Sequence, residues 1–149
     1  MFLLYGENNG LKKDIKEFIK TVLGQQDANI ELLSLYENDI IDNEENFYNS
    51  IYSGSLFSNK RIITINDATD KITKQIKDIG DRYPENIFLI IFANILEKKS
   101  KLRNFFETNL KTLCIPCYLD NDKDLEIIAN TELKKKQYNL IKRIDEFVD

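Results

Sequence analysis

The chain has 149 residues, 42% of them hydrophobic and 31% charged, with a net charge of −4, a composition that fits one globular domain large enough to bury a core. No run approaches the ~18 apolar residues needed to span a bilayer, and Met1-Phe2-Leu3-Leu4 is too short for a secretion signal and lacks its basic start. A cytoplasmic protein with no membrane partner is therefore expected.

Phe2-Leu3-Leu4-Tyr5 is a continuous apolar run that suits a strand buried on both faces. After the polar turn Gly6 to Gly10, the spacing of Leu11, Ile15, Phe18, Ile19 and Val22-Leu23 predicts a helix, with Lys12, Lys13, Asp14, Lys16 and Glu17 on its outer face and Gly24 as its C-terminal cap. Ile30 to Tyr36 reads as the second strand. Asn43 then caps a helix in which Phe47 and Ile51 share a face. A third strand is expected at Ile62–Ile65, and a helix around Ile72, Ile76 and Ile79. The fourth strand is expected over Ile87–Phe92, just after Pro84, which interrupts the preceding helical pattern. Ser100 caps a helix carrying Leu102, Phe105, Phe106 and Leu110, and Leu113 to Tyr118 reads as a fifth strand. A further helical pattern covers Asp124 to Leu133 and another begins near Tyr138; its apolar period, Leu140, Ile141, Ile144, Phe147 and Val148, reaches the last residues, as expected of a chain cut within a further domain. The fold class is α/β: a parallel sheet of about five strands with helices on both faces.

A sheet of this kind invites nucleotide chemistry at the first strand-to-helix turn. That turn reads Gly6-Glu7-Asn8-Asn9-Gly10-Leu11-Lys12-Lys13. A phosphate loop needs four residues between its glycines, followed by lysine and a hydroxyl that holds magnesium. Here three residues separate the glycines, no hydroxyl follows Lys12, and Glu7 would repel a phosphate. Asp67, after the third strand, reads as the cap of the next helix rather than a magnesium ligand. The domain thus has the shape of a nucleotide hydrolase without its catalytic parts, so no catalytic residue, cofactor or metal ligand is assigned.

Histidine is absent, which removes the commonest general base and metal ligand. Cys114 and Cys117 form a CxxC, but in a strand rather than at a helix N-terminus, and an odd step sends their side chains to opposite faces. A buried structural pair is expected. Residues 25–45 hold seven acids and no base, a poor surface for a phosphate backbone. The basic runs Lys98-Lys99-Ser100-Lys101-Leu102-Arg103 and Lys134-Lys135-Lys136 read as solvated helix faces.

Tyr52-Ser53-Gly54-Ser55-Leu56-Phe57 closes the helix capped by Asn43 and precedes the basic pair Lys60-Arg61. Gly54 and Ser55 loosen the helix end, and Ser58-Asn59 read as turn. On pattern alone, the adjacent Leu56 and Phe57 either fold inward over the sheet or present two large apolar groups to a partner's pocket, each contributing ~1.5–3 kcal/mol when desolvated.

Four anchors in order carry a resemblance. Phe2-Leu3-Leu4-Tyr5-Gly6-Glu7-Asn8, then Ser55-Leu56-Phe57-Ser58-Asn59-Lys60-Arg61, then Leu96-Glu97-Lys98-Lys99-Ser100-Lys101-Leu102-Arg103, then Cys117-Tyr118 with Asp120 to Leu125, resemble the delta subunit of bacterial DNA polymerase III, a clamp-loader component. The resemblance implies a RecA-like, AAA+-type domain without a functional phosphate loop over residues 1–120, and the start of a helical, lid-like second domain over 121–149. It implies that Ser55, Leu56 and Phe57 form the wedge that binds and opens the ring-shaped sliding clamp. The chain departs from the pattern at Tyr52-Ser53-Gly54, where a clamp-binding peptide often carries glutamine. The implied partners are the sliding clamp (the beta subunit), the ATP-hydrolysing motor subunits and delta-prime, with DNA met only through the assembled complex. The domain itself would catalyse nothing, and any DNA-directed DNA polymerase or nucleotidyltransferase activity would belong to the assembly. Two other readings stay open: an ATP-dependent AAA+ enzyme, and a non-catalytic α/β adaptor for another protein.

Overall fold

The computed structural model describes residues 1–26, 29–53 and 60–119, together with Lys134 and Lys142. Five strands, β1 (Phe2–Tyr5), β2 (Ile30–Tyr36), β3 (Lys60–Ala68), β4 (Ile87–Ala93) and β5 (Leu113–Pro116), form one sheet in the order β2-β3-β4-β1-β5. Every neighbouring pair is parallel. The helices are α1 (Asn9–Gln26), α2 (Glu37–Asp42), α3 (Glu44–Tyr52), α4 (Thr73–Asp81, entered through a 3₁₀ turn at Asp70–Ile72) and α5 (Lys101–Thr108).

Strand alternation divides the core in two. Phe2, Leu4, Ile62, Phe88, Ile90 and Ile115 face α1, which meets them with Ile15, Ile19 and Leu23. Leu3, Tyr5, Ile63, Ile65, Leu89 and Ile91 face the other way, onto Ile40 of α2, Phe47 and Ile51 of α3, Ile76 and Ile79 of α4, and Leu102 and Phe106 of α5. Because β1 and β4 are covered on both sides, their sequences are apolar without interruption. The edge strand β2 is half-covered, and its Leu32 and Tyr36 are exposed.

Capping follows the sequence at two helices. The Asn43 side chain accepts from the Asn46 amide at 3.0 Å, and the Ser100 hydroxyl accepts from the Arg103 amide at 3.2 Å. Asp70 reinforces the second cap, accepting from the Ser100 hydroxyl and from the amides of Lys101 and Leu102.

Several expectations are corrected. Gly24 does not end α1; the helix runs two residues further, to Gln26. Asp67 caps nothing: it lies within β3 at φ 55°, where the register with β4 shifts between Ile65 and Ala68, and Thr69 caps the following turn by accepting from the Lys71 amide. Aspartate tolerates this left-handed conformation better than most residues. Leu110 is not on the inner face of α5, because the helix stops at Thr108 and leaves that side chain 89% exposed. Strand β5 ends at Pro116, whose missing N–H and fixed φ disfavour continuation, so Cys117 and Tyr118 lie beyond it. The short helix α2 has no counterpart in the periodic pattern. It is held instead by Asp39, which accepts from the Tyr36 amide at 2.8 Å, and by Glu37, whose Oε1 accepts from both the amide and hydroxyl of Thr69 at 2.7 Å. The expected second domain over 121–149 lies outside the described residues, apart from the exposed Lys134 and Lys142.

Candidate functional site

The segment that joins α3 to β3 leads into the amino end of a strand beside the sheet edge. The expected site residues Ser55, Leu56 and Phe57 lie outside the described residues, as do Gly54, Ser58 and Asn59. Both flanks are described. On the helix side, Phe47 and Ile51 commit α3 to the core, and its last turn closes with the Ser53 amide on the Asn49 carbonyl at 2.9 Å. On the strand side, Lys60 and Arg61 pair with Ile30 and Glu31 of β2, and the Arg61 amide donates to the Asn86 carbonyl at 3.0 Å. Arg61 reaches back across the connection, its Nη1 donating to the carbonyls of Ser50 (2.6 Å) and Ser53 (3.0 Å). Read by residue type, Arg61 is one half of a basic pair. A positional signal was present, because Arg61 shares a period-two face with Ile63 and Ile65 and so points toward α3.

At the opposite end of the sheet, the β1–α1 turn directs its amides into the protein. Gly6 N–H donates to the Asn94 carbonyl (2.8 Å), Asn8 N–H to the Cys117 carbonyl (3.0 Å), Asn9 N–H to the Glu7 carbonyl (3.0 Å) and Leu11 N–H to the Asn8 side chain (3.0 Å). Gly6 sits at φ 120°, and a β-carbon there would lie 2.1 Å from the Cys117 oxygen. Beside this turn, a cleft of about 270 Å³ is lined by Asn9, Lys12, Lys13 and Lys16 of α1 and by Asn66 and Asp67 of β3.

Lys12 departs from its expected place on the outer face of α1. It is only 5% exposed, and its Nζ donates to the Ala93 carbonyl at 2.7 Å. Burial pushes its pKa below the ordinary lysine value, with Cys117 and Asp67 pulling the other way. Lys12 precedes Ile15, Ile19 and Leu23 by three, seven and eleven positions, so the helical period already places it on the buried stripe.

The CxxC behaves as its odd step implies. Cys114 packs against the core layer of α2–α5 and Cys117 against that of α1; no disulfide joins them. Cys117 is buried, whereas Cys114 is half-buried, more open than expected. The basic run at Lys98–Arg103 is solvated at its lysines, but Arg103 is not: its guanidinium lies 4.9 Å from the Tyr5 ring centre and donates to the Leu96 carbonyl (2.9 Å) and to Glu107 (2.7 Å). Tyr5 also meets Tyr118, hydroxyl to hydroxyl at 3.2 Å, and burial together with this bond raises its pKa.

Among the described residues, no group of three or more His, Cys, Asp or Glu side chains converges as a metal site, and no helix is long and apolar enough to cross a membrane. Comparison with protein-family models matches residues 2–117 to the family described as DNA polymerase III, delta subunit. Comparison with curated proteins gives no match.

Proposed function

From the premise that this chain belongs to the DNA polymerase III delta-subunit family, we propose that it binds the sliding clamp through Ser55, Leu56 and Phe57 and uses that binding to favour an open ring. The carrying observation is the family match itself, which runs through the α3–β3 connection. The flanks add support: the helix before the connection and the strand after it are both built into the core. Leu56 and Phe57 are the apolar anchors, and the residues around them exclude water. The action is mechanical. A ring that binds the wedge better when open is shifted toward opening by that difference in affinity and by nothing else.

The partners in this reading are the clamp, the ATP-hydrolysing motor subunits and delta-prime, with cytoplasmic DNA engaged through the assembly. The acidic stretch over residues 25–45 supports indirect DNA contact. The turn after β1 supports a subunit that catalyses nothing itself, because amides that would cradle a phosphate already donate to Asn94, Cys117 and Glu7. Polymerase activity is then a property of the holoenzyme.

The test is clamp affinity for Leu56→Ala combined with Phe57→Ala, measured beside the thermal midpoint. Truncating hot-spot anchors costs ~2 kcal/mol or more in binding, and the midpoint should stay near native. A large fall in midpoint with clamp binding retained would place both side chains in the core and end the wedge reading.

A further inference from the structure

Arg61 is the second residue of β3, paired with Glu31 of β2 on one side and Ile87 of β4 on the other. Its backbone is therefore fixed from both flanks. Its side chain is 7% exposed, an unusual place for a guanidinium. The burial is explained by what it grips. The last carbonyls of a helix have no partner within the helix, and a cation there also complements the negative end of the helix dipole. Arg61 supplies both through Nη1, on Ser50 and Ser53. Its Nε makes no hydrogen bond but lies 3.5 Å from Glu31 Oε2, so the charge is balanced across the β2–β3 pair. Only six residues, 54–59, separate Ser53 from Lys60. One guanidinium thus ties the helix end that leads into this connection to the strand that leaves it.

We propose that Arg61 is a positioning residue for clamp binding: it holds the two ends of the α3–β3 connection at a set distance and direction, so that the clamp meets a connection whose ends are already ordered. The inference rests on the wedge reading above. It assigns Arg61 no direct interaction with the clamp. Without the grip, the Ser53 end of α3 is released, and that residue must be ordered at the moment of binding. Affinity then weakens although every group that touches the clamp is still in place.

The experiment measures affinity for the cognate clamp on the 149-residue chain, native and as Arg61→Met, Arg61→Lys, and Leu56→Ala with Phe57→Ala. Each is held at a temperature where circular dichroism shows it folded. A synthetic peptide of residues 50–61 is measured alongside, with Arg or Met at its last position. Arg61→Met should bind about tenfold more weakly, the loss expected from ordering roughly one further residue on binding. Arg61→Lys should recover part of the loss, since one ammonium can reach one of the two carbonyls. The two peptides should bind alike, because a free peptide has no grip to lose. Native affinity in folded Arg61→Met overturns the inference, as does a peptide pair that differs as much as the two proteins do, which would place Arg61 against the clamp. If Arg61→Met does not fold, Arg61→Lys decides: a several-fold loss supports the grip and native affinity refutes it. Should Leu56→Ala with Phe57→Ala bind normally, the wedge reading falls and this inference with it; if that variant loses binding while folded Arg61→Met does not, only this inference falls.

Discussion

The same chemical change at two glycines should move stability in opposite directions. Alanine at Gly6 must place its β-carbon 2.1 Å from the Cys117 oxygen and 2.7 Å from the carbonyl carbon, both backbone atoms, while holding φ at 120°. Neither can be relieved by a side-chain rotation. Strain of this kind costs ~1–3 kcal/mol. Moving the turn to escape it weakens the bonds from Gly6 N–H to Asn94 and from Asn8 N–H to Cys117, each worth ~0.5–1.5 kcal/mol. Gly6→Ala should therefore destabilise by about 2–6 kcal/mol, a large share of the ~5–15 kcal/mol typical of a domain. Gly24 lies inside α1 with nothing within 4 Å of an added β-carbon, so Gly24→Ala should stabilise by up to ~1 kcal/mol. Urea unfolding measures both, read as midpoint shifts at constant slope. A Gly6→Ala midpoint at the native value would refute the close approach to Cys117. Loss of stability in Gly24→Ala would return Gly24 to the left-handed cap that the sequence alone suggests.

Calorimetry with magnesium-ATP should give no saturable heat, since the β1–α1 turn directs its amides into the chain; a micromolar isotherm would favour the ATP-dependent enzyme instead. In the folded protein an alkylating reagent should label half-buried Cys114 slowly and buried Cys117 only after unfolding; rapid labelling of Cys117 would contradict its place under α1. The phenols of Tyr5, Tyr48 and Tyr83 are all held above their ordinary pKa, mainly by burial. The folded state then keeps protons that the unfolded chain releases above pH ~10, so their contribution is full below that pH and lost above it. Lys12, whose pKa is lowered, acts in the opposite sense as pH rises toward ~10.4, so the tyrosine effect is read above that point. Stability should fall steeply there and less steeply in Tyr83→Phe; an unchanged slope in that variant would show that its phenol titrates normally.

Much of the fold was legible because burial on both faces leaves no polar residue to interrupt a strand. Phe2–Tyr5 and Ile87–Phe92 are strands for that reason, and Ile15, Ile19 and Leu23 place α1 by period alone. The misses share a physical cause: residue type outweighs position in a reading by pattern. Lysine chemistry points Lys12 to solvent although its period puts it on the buried stripe. Arg61 likewise looks like half of a charge pair although strand alternation turns it toward α3. The helix α2 was illegible because it is held by long-range bonds from Glu37 to Thr69, which no local pattern encodes. Asp67 looks like a cap because a bulge with φ 55° is invisible until β3 and β4 are paired. The candidate site itself was legible only through the order of four motifs, since adjacent Leu56 and Phe57 fit a core as well as a partner's pocket.

The parallel sheet separates the two features by direction. Connections that enter strands lie at its amino edge, and those that leave lie at its carboxyl edge. The α3–β3 connection is of the first kind, and the turn after β1, with Lys12 and its cleft, is of the second. Strand β3 joins the two ends, carrying Arg61 near its start and Asp67 of the cleft near its finish. At ~3.3 Å per residue, roughly 20 Å lie between those two side chains. Along β3, a change in the cleft reaches the amino edge by moving the strand as a whole. Its middle residues are locked between β2 and β4, which makes that movement costly. Substitutions at Gly6 should therefore report on folding, and on the wedge reading those at Arg61, Leu56 and Phe57 should report on the partner.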